Sequence, residues 1–247
     1  MGLCSWESAS RRGRVNQKQR VSLQSAFVLH KRPYRESSLL LDVFSYDYGK
    51  IGLVARGVRK NRRGGAAVLE PFNPLRLSWI GKSDLYTMTS VELIPPGLRL
   101  TGKSLYCGFY LNELLNYFLH RHDPHPNLFS HYAATLVSLS ENPEVETALR
   151  YFEFALLNET GFGLQIEYDS KTGAEVEAGK RYRYWPGQGL VESNRLVDSI
   201  GGSTLISLVQ RKLDGTEQLT ESKCLMRMMI DHYLGEKTLR SRFLFKA

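Results

Sequence analysis

The sequence has few cysteines and no long apolar run, and both absences exclude classes of protein. Its three cysteines, Cys4, Cys107 and Cys224, are far apart among 247 residues, so they suggest neither a disulfide framework nor a metal cluster with short ligand spacing. No apolar segment approaches the roughly 18 residues that a membrane span requires, and residues 1–20 are basic without the apolar core of a secretory signal. We therefore expect a globular protein of a reducing cytoplasm, with residues 1–20 as a disordered basic tail.

The sequence also lacks a recognisable catalytic or metal-binding arrangement. The densest group of possible metal ligands is His120, His122 and His125 with Asp123. These residues do not have the i, i+4 spacing of a helical metal site, and two prolines interrupt the segment. No pair of carboxylates and no nucleophile with its base stands out. The residues therefore predict no metal, no cofactor and no catalytic residue.

Acidic residues are scarce in the first 100 positions, where 7 aspartates and glutamates stand against 17 lysines and arginines. The remaining positions hold 18 acidic and 16 basic residues. A net charge of +8 for the whole chain argues only for a general attraction to anions. Its concentration in the first part of the chain predicts that this part meets an anionic partner.

Residues 21–96 show the short alternating apolar segments and turn residues that are typical of β-strands. Five strands are predicted, at about Ala26–His30, Leu39–Phe44, Ile51–Ala55, Leu75–Ile80 and Leu85–Leu93. Five antiparallel strands without a crossover helix fit a closed OB-type barrel, a fold whose open face and loops commonly bind oligonucleotides.

Residues 97–247 change to a helical period after Pro95-Pro96. Apolar residues recur at steps of three and four from Leu105 to Phe118, and similar stripes predict four more helices. A segment at about 166–192 is richer in glycine and tyrosine, with short strands at Arg181–Trp185 and Gly189–Val191. The predicted fold class is α+β and multidomain: a five-stranded OB-type β-barrel, then a helical domain with a small inserted β-containing subdomain.

The segment Gly49–Arg63 runs from a strand into a loop of five cations with no acidic residue among them. Such a run is often only a solvated surface, but this one lies on a barrel-like domain and close to further cations and aromatic residues. We predict that nucleic-acid backbone is bound by Arg56, Arg59, Lys60, Arg62 and Arg63, together with Lys31, Arg32 and Arg35. Nearby rings could stack on bases or pack in the barrel core: Tyr34, Tyr46, Tyr48, Phe72 and Trp79.

Residues Gly97–Ser104 match the phosphate-loop pattern GxxxxGK[ST]. In a true phosphate loop the backbone amides enclose phosphate and the lysine, here Lys103, reaches the outer phosphates at the edge of a parallel sheet. The preceding strands are predicted to be antiparallel, which favours a linker that leads into a helix. The alternatives are a nucleotide-dependent DNA-binding ATPase that uses Lys103, and a scaffold that binds only proteins.

Five segments carry a further signal: AFVLHKRPYRESSLLLDVFSYDYGKIGLVARGVRK, LEPFNPLRLSW, GFYLNELL, LRYFEFALLNETGFG and GEKTLRSRFLF. In this order and spacing the chain resembles the RecO family of bacterial recombination mediators. The resemblance covers almost everything beyond the basic tail. It implies an N-terminal OB domain followed by a helical region with a small inserted domain.

The resemblance also implies a role in DNA repair without enzymatic activity, in the bacterial cytoplasm at the nucleoid. RecO-like proteins bind single- and double-stranded DNA, anneal complementary strands, and help RecR to load RecA onto DNA coated with single-strand-binding protein. The C-terminal tail of single-strand-binding protein is then expected to dock on the helical region at Arg150, with Phe152 and Leu156 around it. The helical pattern alone would make Arg150 an ordinary surface charge.

Two features depart from the family pattern. Some members bind zinc through four cysteines in the inserted domain, whereas Tyr168–Val191 contains no cysteine. We therefore expect packing and hydrogen bonds to hold the insertion together. The basic extension of 20 residues could add non-specific DNA affinity or could reflect a misassigned start codon.

Overall fold

The computed structural model describes residues 19–60, 65–82, 85–141, 145–163 and 165–245. Its first part contains five strands and one short helix: β1 (Gln19–Tyr34), β2 (Ser38–Ser45), β3 (Gly49–Ala55), α1 (Gly65–Val68), β4 (Leu75–Gly81) and β5 (Leu85–Leu93). Residues 1–18 of the predicted tail lie outside the described residues. The last two residues of that tail, Gln19 and Arg20, instead begin β1.

The five strands close into a barrel in the order β1-β2-β3-β5-β4, which confirms the predicted OB-type barrel. β4 pairs with β1, with Trp79 opposite Val21, and so closes the ring. The expectation that all strands are antiparallel was wrong for one pair, because β3 and β5 run parallel, with Gly52 opposite Leu85. Chain order predicts neighbours that are consecutive, whereas closure of the barrel brings β5 beside β3.

The barrel core is built from inward-facing residues of all five strands. Alternate residues of a strand point to opposite faces, so each strand contributes one row of apolar side chains to this core. Trp79 is fully buried there, with the rings of Tyr48 and Tyr86 at centroid distances of 5.3 and 6.3 Å. The aliphatic part of the core includes Leu41, Ile51, Leu53, Leu75 and Leu77.

The second part of the chain is mainly helical, as predicted. It contains α2 (Gly102–Phe118), α3 (Pro126–Glu141), α4 (Val145–Glu159), α5 (Gly202–Val209), α6 (Gly215–Leu234) and a C-terminal 3₁₀ helix (Arg240–Phe245). α6 begins before the predicted Thr220 because its first turn is polar and shows no apolar period. No described helix is long and apolar enough to cross a lipid bilayer.

The small insertion contains a three-stranded sheet in the order β7-β6-β8, with β6 (Arg181–Trp185), β7 (Gly189–Glu192) and β8 (Ile200–Gly201). Its loop is organised by the buried carboxylate of Asp169. One oxygen accepts hydrogen bonds from the backbone amides of Lys171 and Thr172 at 2.9 and 2.8 Å, and the other accepts from the amide of Glu192 at 2.5 Å. Burial acts to raise the pKa of Asp169, but the hydrogen bonds outweigh it and hold that pKa below its usual value.

The barrel docks on α2 and α3 through an apolar contact and a buried polar one. The rings of Phe27 and Phe44 each lie 5.3 Å from that of Phe129. The side-chain amide of Asn112 donates to the carbonyl of Leu29 at 2.9 Å. Outward-facing residues of β1 and β2 therefore belong to the helical core and fix the barrel in place.

Gly49, in the turn between β2 and β3, permits a second close approach. Its φ is 62°, a region that disfavours residues with a Cβ. A Cβ added there would lie 2.0 Å from the carbonyl oxygen of Asp123. This position therefore requires glycine, both for the turn and for its contact with the α2–α3 connection.

Candidate functional site

Two loops meet at one end of the barrel, the β1–β2 turn at 35–37 and the loop at 56–60 that follows β3. The backbone amide of Arg59 donates to the carbonyl of Ser37 at 3.0 Å. The guanidinium of Arg59 lies 3.4 Å from the carbonyl oxygens of Arg35 and Glu36. The two basic segments, which are 24 positions apart in sequence at Arg35 and Arg59, therefore form one surface.

The described cations of this surface are largely exposed to solvent. Five of the eight predicted side chains are exposed, namely Arg32, Arg35, Arg56, Arg59 and Lys60, and Lys31 is partly buried. Arg62 and Arg63 lie outside the described residues. We call the six described cations the basic loop surface.

Two carboxylates reach this surface from other parts of the chain. Lys31 forms an ion pair with Glu70, and Lys60 Nζ lies 3.7 Å from Glu36 Oε2. Neither acid lies within Gly49–Arg63, so inspection of that segment alone overestimates its positive charge. Exposed pairs of this kind contribute little to stability, and both cations can exchange these partners for phosphate.

An open groove of about 710 Å³ lies beside the basic loop surface. Its wall includes Tyr34, Arg35, Arg56, Leu85 and Thr87, and the Arg35 guanidinium lies 5.3 Å from the centre of the Tyr34 ring. Of the other rings considered for stacking, Phe72 and Trp79 are buried, and Tyr48 packs on Trp79. Tyr34 is therefore the considered ring that lines the groove.

A second concave site lies in the helical part, where α2, α4, α6 and the C-terminal 3₁₀ helix converge. It is a cavity of about 250 Å³, which we call the Arg150 pocket. Its basic lining residues are Lys103, Arg150, Lys223, Arg227 and Arg242, and its apolar wall includes Val145, Leu149 and Phe245. Glu146 is its acidic lining residue, and this carboxylate lies 3.2 Å from Lys223 and 3.9 Å from Lys103.

Arg150 is buried rather than exposed on its helix, with 5% of its surface accessible. Its Nη2 donates to Glu153 Oε1 at 2.6 Å, and the hydroxyl of Tyr110 donates to the same oxygen at 2.6 Å. Nε and Nη1 of Arg150 have no hydrogen-bond partner among the described residues. Since a buried donor without a partner is costly, Arg150 is well suited to bind an incoming carboxylate.

Burial also changes the protonation of the neighbouring groups. It raises the pKa of Glu153, which the charge of Arg150 opposes. It raises the pKa of Cys107, in the pocket lining, to about 11, so this thiol is neutral at pH 7 and is no nucleophile there. The pocket is therefore equipped to bind an anion rather than to catalyse a reaction.

The structure separates the residues predicted around Arg150. Phe152 and Leu156 are core side chains with 1% and 0% exposure, and neither lines the pocket. Helical periodicity places both on the apolar face of α4, and that face packs inward. We therefore withdraw them as contact residues.

The pocket includes residues that the sequence analysis missed. Lys223 and Arg227 are four positions apart on α6, so helical spacing could have placed them on one face. Arg242 and Phe245 belong to the terminal segment GEKTLRSRFLF, whose fold on α2 has no local sequence signal. Lys103, the lysine of the phosphate-loop pattern, lines the same pocket.

The phosphate-loop pattern does not have its required surroundings. Gly97–Ser104 follows the last strand of a closed barrel, not a strand of an open α/β sheet. Among the described residues no group of three or more histidine, cysteine or acidic side chains could hold a metal ion. The geometry thus gives the nucleotide hypothesis no support.

Comparison with known proteins identifies the family. The family model described as recombination protein O N terminal matches residues 20–96, and the one described as recombination protein O C terminal matches residues 99–243. The chain is 43% identical over 228 residues to the DNA repair protein RecO of Methylococcus capsulatus, covering 92% of this chain and 94% of the relative. It is 44% identical over 230 residues to the protein of the same name from Nitrosococcus oceani, with the same two coverages. The chain therefore belongs to the recombination protein O family.

Proposed function

We propose that this protein is a DNA-binding recombination mediator of bacterial DNA repair. It binds single- and double-stranded DNA, anneals complementary strands, and works with RecR to load RecA onto DNA coated with single-strand-binding protein. The observation that carries the DNA-binding part is the basic loop surface, where two loops of an OB-type barrel bring exposed cations together beside an open groove. The names of the relatives support the repair role.

The mechanism follows from electrostatics. Phosphate contacts from the loop surface screen the repulsion between two DNA strands and release condensed counterions. Such contacts read the backbone and carry no base sequence. The protein holds DNA and partners and changes no covalent bond, so it is not an enzyme, and it acts in the cytoplasm at the nucleoid. Residues 21–96 form the DNA-binding domain, and residues 97–247 form the partner-binding domain.

The Arg150 pocket holds the C-terminal tail of single-strand-binding protein. That tail is acidic and ends in an apolar residue with a free carboxylate. The unpartnered Nε and Nη1 of Arg150 suit the carboxylate, and the wall of Val145, Leu149 and Phe245 suits the apolar side chain. Lys223 and Arg227 at the same pocket suit the acidic residues that precede it.

The DNA-binding proposal is tested by removing three loop charges together, as Arg56→Ala, Arg59→Ala and Lys60→Ala. Each lost phosphate contact lowers the salt dependence of single-strand binding by about 0.7 in log–log slope, so the variant should lose about 2. Fluorescence anisotropy with a labelled oligonucleotide across a salt series measures the slope. The matched control removes three exposed cations of the helical part, Lys171, Arg195 and Lys212, and should keep the slope. An unchanged slope in the loop variant would refute the role of this surface.

The tail proposal is tested with a labelled peptide that carries an acidic segment and a terminal apolar residue. Amidating its C-terminus should weaken binding strongly, because it removes the charge that Arg150 receives. Equal binding of the free and amidated peptides would show that the carboxylate is not read in this pocket.

A further inference from the structure

A second group of cations lies at the other end of β3 from the basic loop surface. Lys50 begins β3, Arg121 lies between α2 and α3, and Lys237 follows α6. The backbone amide of His122 donates to the carbonyl of Lys50 at 3.0 Å, which holds the α2–α3 connection against the barrel. Three elements that are remote in sequence thus bring their charges together at the barrel–helix junction.

The side chains of this group are held by few partners. Lys50 Nζ donates to the carbonyl of Asn116 at 2.6 Å, near the C-terminal end of α2, where a cation is favourable. Arg121 Nη2 donates to Asp42 Oδ1 at 2.9 Å. Lys237 Nζ lies 5.4 Å from the ring centre of the exposed Tyr117.

Positive charge is therefore incompletely balanced at this junction. Among the described residues Asp42 is the carboxylate in contact with the three cations. Burial lowers the pKa of Lys50, and the charges of Arg121 and Lys237 lower it further, against the opposing charge of Asp42. A bound anion would relieve this repulsion, and an exposed ring beside cations is typical of single-strand binding sites.

The distance between the two basic surfaces has a geometric consequence. A strand rises about 3.3 Å per residue, so Lys50 and Arg56 are separated by roughly 20 Å along β3. The two surfaces are thus at opposite ends of the barrel, where each can hold a separate length of backbone.

We propose that Lys50, Arg121 and Lys237 form a second nucleic-acid backbone site, which holds the second strand during annealing. The role in annealing rests on the proposed function. The existence of the site does not, because it can be measured after the basic loop surface has been disabled.

The first experiment starts from the variant that lacks the charges of Arg56, Arg59 and Lys60. In that background, adding Arg121→Ala and Lys237→Ala should weaken the remaining binding of a labelled single strand at low salt by about tenfold, since two phosphate contacts are lost. Adding Lys171→Ala and Lys212→Ala removes the same charge elsewhere and should change binding by less than about twofold. Equal effects of the two pairs would overturn the site.

A sign test separates phosphate binding from a structural clamp. Arg121→Ala and Asp42→Asn both break the same ion pair between the barrel and the helical part. A clamp predicts that both weaken DNA binding, whereas a phosphate site predicts that Arg121→Ala weakens it and Asp42→Asn strengthens it. Weakening by both would overturn the proposal.

The second experiment measures annealing of two dye-labelled complementary strands by energy transfer, in a chain with an intact loop surface. At protein concentrations that saturate the first strand, Arg121→Ala with Lys237→Ala should slow annealing by about tenfold, in line with the loss of two phosphate contacts. A wild-type rate in this variant would overturn the second-strand role. If the unaltered protein does not anneal at all, the proposed function fails instead, and binding in the loop-deficient variant still decides whether the site exists.

Discussion

Replacing Arg150 by glutamine should destabilise the protein as well as abolish tail binding. The side chains of Arg150 and Glu153 are 6% and 1% exposed and lie 2.6 Å apart, so Arg150→Gln leaves a buried carboxylate without its cation. Removing one partner of a buried ion pair costs about 3–5 kcal/mol. For a chain of this size each kcal/mol lowers the thermal midpoint by about 2–4 °C, so a decrease of about 6–20 °C is expected.

The double variant Arg150→Gln with Glu153→Gln distinguishes this cause from a general packing defect. It removes both charges and keeps similar volumes, so most of the lost stability should return, because neutralising both partners of a buried pair is often nearly neutral. Tail binding should stay absent, since the guanidinium is missing. Circular dichroism melts and peptide anisotropy measure the two properties separately.

The rim of the pocket provides the matched control. Arg227→Gln removes a charge from an exposed lining residue and should change the free energy of unfolding by less than about 0.5 kcal/mol. The reasoning would be refuted if Arg150→Gln unfolded within about 1 kcal/mol of the unaltered protein, or if the double variant were no more stable than the single one.

Glu153 also makes a prediction about pH. Its folded pKa is raised by burial above the usual value of 4.5, so its contribution to stability is fully present below that value and is lost as pH rises through the folded pKa. Glu153→Gln cannot ionise, so its stability relative to the unaltered protein should increase as pH rises through this range. Melts at several pH values compare the two. A stability difference that does not change with pH would contradict the raised pKa.

Three further predictions concern other parts of the fold. Asp169→Ala removes the acceptor for the loop amides and should cost about 1–3 kcal/mol; because the folded pKa of Asp169 is depressed below 3.8, the stabilisation it provides is present above that value and is lost as pH falls below it. Gly49→Ala should cost more than the about 1–2 kcal/mol of a left-handed residue, since its Cβ would also collide with Asp123. Glu70→Gln frees Lys31 for phosphate, so DNA affinity should rise and the salt slope should increase by about 0.7.

Each of the three has a control within the chain. Gly57→Ala has a similar φ of 71° but meets no atom within 4 Å, so the difference from Gly49→Ala isolates the collision, and equal melting temperatures would contradict it. Glu175, exposed on the insertion, controls for loss of an acidic residue in the other two. A salt slope that Glu70→Gln leaves unchanged, or an Asp169→Ala variant as stable as Glu175→Ala, would refute the corresponding prediction.

Local patterns predicted several elements well because their cause is local. β6 was predicted at its observed bounds, Arg181–Trp185, since its polar and aromatic residues alternate between two turns. β1 was predicted only at Ala26–His30, although it spans Gln19–Tyr34. Its first residues are polar and form a strand only because β4 pairs with them.

By itself, the sequence determined the order of strands and helices, the concentration of cations in the first part of the chain, and the family. These properties depend on periodicity, composition and the spacing of segments along the chain. Only the tertiary structure decided that β3 lies parallel to β5, that Glu36 and Glu70 pair with loop cations, and that Arg150 is buried in a pocket. Burial and pairing depend on groups that are distant in sequence and meet only when the chain folds, and no local pattern records those contacts.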